Sequence, residues 1–245
     1  MNKVYKDIQQ ALNDVEDGMV IAVGGFFTAG VPRGLLKALV KNGSRKLTLA
    51  CGSGPLLGAI EEAQTLMDNN QIAKVIDSYA LPRSISKGLD NAFEQHVRDG
   101  SIELEIYPMG TLAEKYRSAG AGIPAFYTPT GTGTLVRNTR ITNSQTCCAD
   151  KETRIIDGRE YVLEYALKPD IAFVHAYAGD SEGNLQYRKT ARNFNHVMAT
   201  AGKITIAEVE NLLEPGEILP DQVHTPGIFV QRVVKVPRSQ ISIGI

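Results

Sequence analysis

The chain has 245 residues, 43% of them hydrophobic, enough for one large α/β domain or two small ones. Its 26 Lys and Arg residues balance 27 Asp and Glu with no block of like charge, so nothing points to nucleic acid or an acidic membrane surface. The opening Met1-Asn2-Lys3-Val4-Tyr5-Lys6-Asp7 runs into an amphipathic helix with no apolar signal core, and no stretch approaches the roughly 18 apolar residues of a membrane span; a cytoplasmic location is expected.

Met19 to Val23 is a short, wholly apolar run, as a strand covered on both faces shows. Gly24 and Gly25 follow, then Phe26-Phe27-Thr28-Ala29-Gly30, and Pro32 suits the first position of a helix. Such a strand, glycine-rich loop and helix start is expected to aim backbone N–H groups at an anionic ligand such as a phosphate. The spacing is neither Gly-x-x-x-x-Gly-Lys-Ser/Thr nor Gly-x-Gly-x-x-Gly. A tight turn with no ligand is the alternative reading.

Pro32 to Asn42 reads as a helix with Leu35, Leu36, Leu39 and Val40 on one face. Leu47 to Cys51 is a second strand, stopped by Gly52-Ser53-Gly54-Pro55, and a helix is expected through Leu56 to Met67. A strand at Val75 to Tyr79 and a helix at Ser84 to Arg98 come next. Ile102-Glu103-Leu104-Glu105-Ile106 alternates, which predicts a strand near a sheet edge with Glu103 and Glu105 on a wet face. Thr111-x-x-Glu114 reads as a capping box opening a short helix that ends at Gly120 or Gly122. Gly131 to Thr134 and Thr139 to Asp150 read as loop, a partner-facing excursion. Arg154 to Leu163 is a β-hairpin turning at Asp157-Gly158, and Ile171 to Ala176 and Ile204 to Val209 are further apolar strands.

This order predicts a three-layer α/β/α fold around a mainly parallel sheet, one domain over 1–245 with strands and loops added in the second half. In such sheets ligands bind above the carboxyl ends of the strands, where the first glycine loop, Cys51-Gly52-Ser53-Gly54 and Tyr107-Pro108-Met109-Gly110 should converge. The cysteines, Cys51, Cys147 and Cys148, fit a reducing compartment; with no Cys-x-x-Cys and no His/Cys cluster, neither a redox motif nor a metal site is expected. His175, inside an apolar strand, reads as a satisfied core histidine. His96, His196 and His224 are too scattered for a triad.

Gly24-Gly25-Phe26-x-x-x-Gly30-x-Pro32, preceded by Asp17-Gly18, resembles the signature carried by the A subunits of family I CoA-transferases. So do Gly110 to Lys115, Gly120 to Thr128, Tyr187 to Asn195 and His224 to Val230, in the family's order. The resemblance implies transfer of CoA from an acyl-CoA such as succinyl-CoA to a short-chain or 3-oxo acid by a ping-pong route. In it a glutamate attacks the donor acyl carbon and CoA thiolate then forms a glutamyl thioester; no metal or permanently bound cofactor is needed. Such a carboxylate must be dry and oriented. The resemblance places it on a separate B subunit, in an A2B2 or AB assembly, and gives this chain Gly24, Gly25, Phe26, Phe27, Thr28, Ala29 and Gly30 for CoA. From the sheet topology, Cys51, Gly52, Ser53, Gly54 and Gly110 are expected on the substrate rim. Met109 stands where related chains carry a glutamine that helps polarise the reacting carbonyl, a donation that a thioether cannot make; a more apolar acyl pocket is expected.

Glu182, in Gly179-Asp180-Ser181-Glu182-Gly183-Asn184, superficially matches the nucleophile's Ser-Glu-Asn-Gly motif but reads as a solvated turn residue. A self-sufficient acyl-CoA hydrolase or transferase using Glu182, and a non-catalytic CoA-binding module, stand as alternatives. Arg188, Arg192, Asn193 and Asn195 are either a carboxylate clamp or a structural network.

Overall fold

The computed structural model describes residues 2–79, 92–134, 139–142, 145–148 and 151–236. Its strands are β1 (Val4–Tyr5), β2 (Val20–Val23), β3 (Leu47–Ala50), β4 (Ile72–Asp77), β5 (Glu103–Ile106), β6 (Ala125–Thr128), β7 (Thr139–Thr142), β8 (Gln145–Cys148), β9 (Thr153–Ile156), β10 (Arg159–Tyr165), β11 (Ile171–Asp180), β12 (Leu185–Gln186), β13 (Ile204–Leu213) and β14 (Arg232–Lys235). The helices are α1 (Arg33–Asn42), α2 (Ile60–Asp68), α3 (Ala92–Asp99), α4 (Met109–Gly120) and α5 (Asn195–Ala201).

Among the described residues the main sheet runs β1-β14-β13-β11-β2-β3-β4-β5-β7-β8. It is parallel from β1 to β5 and antiparallel at β7 and β8. A small antiparallel sheet, β6-β10-β9, stands beside it. The expected α/β/α layering is what the chain adopts, and the reason lies in strand alternation. Ile21, Val23, Leu49, Val75, Leu104 and Phe173 point into a core beneath α1 and α2. Their neighbours Ala22, Ala50, Ala172 and Ala207 face the other way, and these small side chains leave room for Tyr116 of α4 and Met198 of α5. No helix among the described residues is long and apolar enough to cross a membrane.

Several expectations need correcting. The stretch through Leu56 to Met67 is a short 3-10 turn at Pro55–Gly58 followed by α2. Strand β4 begins three residues earlier than Val75, and of the expected helix Ser84 to Arg98, residues 84–91 lie outside those described. β5 is not at an edge, because the β7–β8 hairpin, expected as loop, covers it. Glu105 is not on a wet face: it is buried, paired with Lys74 at 2.5 Å and accepting a hydrogen bond from the Tyr107 hydroxyl at 2.5 Å. The Thr111 capping box is absent: α4 starts two residues sooner after Pro108, and Thr111 Oγ1 is buried inside its first turn without a hydrogen-bond partner. The β9–β10 hairpin turns where expected, with Asp157 at φ +48 and Gly158 at φ +76, the left-handed pair a type I′ turn needs.

Candidate active site

Because β2, β3, β4 and β5 run parallel, the loops leaving them open on one rim. Hydrogen bonds tie those loops together. Phe27 N–H donates to the Ser53 carbonyl at 3.1 Å, joining the first loop to the second. Gly54 N–H donates to the Asp77 carboxylate at 3.2 Å, and Ser78 Oγ to the Gly52 carbonyl at 2.6 Å, joining the second to the segment after β4. Tyr107 N–H then bonds the Asp77 carbonyl at 3.2 Å, and the Tyr116 hydroxyl of α4 the Cys51 carbonyl at 3.0 Å. The three loops expected to converge do so.

Their roles differ from those expected. Cys51, Gly52, Ser53 and Gly54 are all buried and form a floor, not an exposed rim. Phe26, Thr28, Met109 and Gly110 are the exposed positions, with Met109 at 49%. The first loop also spends its backbone donors internally. Gly24 N–H bonds the Phe173 carbonyl at 2.9 Å, while Phe26 and Ala29 bond each other, N–H to carbonyl, at 3.0 and 2.9 Å. With Phe27 already bonded to Ser53, four of the loop's N–H groups are engaged within the protein, because the loop folds into its own tight turn. What it offers outward is aromatic: the Phe27 ring lies 5.1 Å from that of Phe26 and 5.7 Å from that of Tyr79, centroid to centroid. Phe27 sits at φ +49, a left-handed backbone that costs a residue with a Cβ about 1–2 kcal/mol.

Asn195 holds this loop from behind. It is fully buried at the start of α5; its Nδ2 donates to the carbonyls of Gly30 at 2.9 Å and Ala191 at 2.8 Å, and its Oδ1 accepts from His175 N–H at 3.0 Å. Asn193 adds a bond to the Ala29 carbonyl at 3.0 Å. Of the two readings of the Arg188 to Asn195 segment, the asparagines take the structural one. Arg188 is exposed, stacks over Tyr177 at 5.1 Å, and lines a cleft of about 260 Å³ with Ala29, His175, Lys189 and Glu210.

The sequence reading missed two buried acids. Asp77 is 1% exposed, and its carboxylate accepts backbone N–H bonds from Gly54, Ser78 and Tyr79. Burial raises its pKa to about 7, against those three hydrogen bonds, which pull it down. The neighbouring Cys51 thiol is pushed up by burial and then by Asp77, so it is inert at neutral pH. The folded-state Asp77 value lies above the ordinary 3.8. Its contribution to stability is therefore full below about pH 3.8 and is lost as pH rises through about 7, at up to about 1.4 kcal/mol per pH unit. Thermal unfolding between pH 5 and 8.5 is expected to show that decline in the wild type and a flatter profile in Asp77→Asn.

Glu208 is the second. It is 0% exposed on β13, and its Oε2 accepts from Leu35 N–H in the first turn of α1 at 2.9 Å. Its Oε1 lies 2.9 Å from His175 Nδ1, and His175 Nε2 lies 3.3 Å from Glu210. His175 is thus the satisfied core histidine expected. Burial disfavours its charge, yet the hydrogen bonds and charges of Glu208 and Glu210 outweigh burial and raise its pKa. A signal for this pair was present: His175 and Glu208 are the polar interruptions of two apolar strands, and they stand opposite each other in the β11–β13 register.

Glu182 is exposed in the turn after β11, where its N–H bonds Asp180 at 3.0 Å. Asp180 stands seven residues beyond Phe173, which pairs with Val23 at the base of the glycine loop, a separation of about 23 Å along an extended strand.

A family model described as coenzyme A transferase matches residues 5–236. The A subunit of the 3-oxoadipate CoA-transferase of Pseudomonas putida is 45% identical over 236 residues, covering 96% of this chain and 94% of that protein. The A subunit of the succinyl-CoA:3-ketoacid coenzyme A transferase of Xanthomonas campestris is 46% identical over 233 residues, covering 95% and 88%. In fold the chain is similar to glutaconate coenzyme A-transferase from Acidaminococcus fermentans, with a TM-score of 0.78 at 20% identity over 97% of this chain and 77% of that one. The sequence blocks, the layered sheet and these matches agree, and the chain belongs to the coenzyme A transferase family.

Proposed function

We propose that this chain is the A subunit of a two-subunit transferase that moves CoA from an acyl-CoA such as succinyl-CoA to a 3-oxo carboxylic acid, and that the attacking glutamate comes from a B subunit. One observation carries the second half of that reading. The described acids around the rim are committed elsewhere: Asp77 is buried and bonded to three backbone N–H groups, Glu105 is buried against Lys74 and the Tyr107 hydroxyl, Glu210, which lines the cleft with Ala29, is paired with His175, and Glu182 is a solvated turn residue well away. A solvated carboxylate is a weak nucleophile, and a buried one that holds a loop together is not free to attack. The names of the relatives, each an A subunit, support the same division of labour.

What this chain contributes is a preformed wall. The loop Gly24 to Gly30, locked by Asn195, sets where CoA and the acyl group lie. At α4 the N-cap Pro108 supplies no side-chain hydrogen bond, so the first-turn N–H groups and the positive end of the helix dipole favour negative charge developing on the acyl oxygen. This takes up part of the role of the amide that Met109 lacks.

Transfer of CoA from succinyl-CoA to acetoacetate is expected only when the chain is purified with its partner, and a glutamyl thioester trapped by borohydride is expected to map to the partner. Activity from this chain alone that is lost in Glu182→Ala would sink the proposal.

A further inference from the structure

The cleft beside Ala29 has a chemistry of its own. Its walls come from Ala29 of the glycine loop, from β11 and β13, and from residues 188–191. They are fixed against each other: a Cβ on Gly30 would lie 2.7 Å from the Ala191 carbonyl, and Asn193 and Asn195 bond the glycine loop to this turn. The enclosed space of about 260 Å³ is below the roughly 300–1,000 Å³ of sites for drug-sized ligands, so it suits a small molecule. The cleft opens beside β11, and Met109 follows β5, four strand spacings or about 19 Å across the sheet. It is therefore distinct from the end of the rim that holds Met109.

Its lining is built from cations. Arg188 stacks over the Tyr177 ring at 5.1 Å, which orders the planar guanidinium, and that fork matches two oxygens of one anion. Lys189 adds a second charge from a left-handed backbone, φ +51, that L residues disfavour; outliers of this kind concentrate at ligand clamps. The exposed Thr190 brings a hydroxyl to the same wall. His175 and Glu210 also line the cleft, with Nε2 3.3 Å from the carboxylate, and Glu208 and Glu210 favour the charged form of the ring. Histidine and glutamate thus offset each other, and Arg188 and Lys189 set the sign of the cleft.

We propose that this cleft is a binding site for a small, doubly charged oxyanion, held by the Arg188 fork, the Lys189 ammonium and the Thr190 hydroxyl. Inorganic phosphate and a short dicarboxylic acid share that chemistry. The site does not depend on where the acyl group lies. The complex with the partner subunit is titrated with phosphate and, separately, with malonate at constant ionic strength, and heat of binding is recorded. Saturable binding is expected, and the tighter of the two anions identifies the source. Arg188→Gln is expected to weaken that binding at least about 10-fold, the loss of a charge-assisted hydrogen-bonding fork. Lys189→Gly is expected to weaken it as well, while the thermal midpoint without ligand stays at or above wild type because the left-handed backbone is relieved. The second variant separates lost recognition from lost folding. Binding of neither anion, or binding that either variant leaves unchanged, overturns the proposal. CoA transfer, assayed on the same wild-type complex, reports on the proposed function alone and stands or falls separately.

Discussion

Glu208→Ala is expected to lower the stability of the folded chain by about 3–5 kcal/mol, a fall of roughly 6–20 °C in unfolding midpoint for a chain of this size. The carboxylate is wholly enclosed and serves two partners, the Leu35 N–H in the first turn of α1 and the His175 ring. Removing it leaves a buried helix-end donor unsatisfied and takes one of two carboxylates from a histidine whose charged form they favour. The pH dependence identifies the cause. His175 has a folded value above its ordinary 6.5, so its stabilising contribution is full below about pH 6.5 and is lost as pH rises through the folded value. The gap between wild type and Glu208→Ala is therefore expected to be widest near pH 6 and to narrow toward pH 9. Glu208→Gln keeps an acceptor for Leu35 and is expected to cost less than half as much. Chemical denaturation at pH 6, 7.5 and 9 checks all three statements; a gap that does not change with pH would remove His175 from the explanation.

Gly24→Ala is expected to reduce CoA transfer at least about 100-fold, because it displaces the loop proposed to form the site wall. A Cβ at this position would lie 2.0 Å from Asn195 Oδ1 and 3.1 Å from the Phe173 carbonyl. Asn195 cannot step aside without giving up Gly30, Ala191 and His175, so the methyl group drives apart strand β11, helix α5 and the glycine loop together. About 2–3 kcal/mol of destabilisation is expected with it, the range of a tight core overpacked by one methyl group. Gly110→Ala makes the comparison: a Cβ there meets nothing within 4 Å, and stability is expected to stay within about 1 kcal/mol. Equal loss of stability in the two variants would refute the steric account.

The sequence made legible what depends on neighbours in the chain. Met19 to Val23 announced a doubly covered strand, and Ile21, Ala22 and Val23 are indeed wholly buried. The parallel order, the rim and the Asp157-Gly158 turn followed from local apolar runs and turn residues. Glu105 failed because alternation records a pattern and not what covers it: its carboxylate is buried against Lys74 of β4 and the Tyr107 hydroxyl, and the β7–β8 hairpin that takes β5 off the edge read as loop. Asp77 was missed because Gly54 and Tyr107 reach it from two other segments of the chain. The expected ring of free N–H groups failed for a related reason. A glycine loop can satisfy its own donors, and only the Phe26–Ala29 pairing shows that this one does.

The place of β11 in the sheet has a consequence for how the chain is made. Strand β2 lies between β3, reached within some thirty residues, and β11, whose Ile171 pairs with Ile21 150 residues away. At ribosomal speeds of about 5–20 residues per second, one flank of the most apolar early strand stays open for roughly 7–30 s after its synthesis. Until then the pairing of β2 to β5 leaves one border without its partner strand, the kind of surface that can recruit another nascent copy. Arrival of β11 and β13 seals the border, and the same event brings His175 and Glu208 against α1, so completion of the sheet and final locking of the glycine loop fall at one moment late in translation.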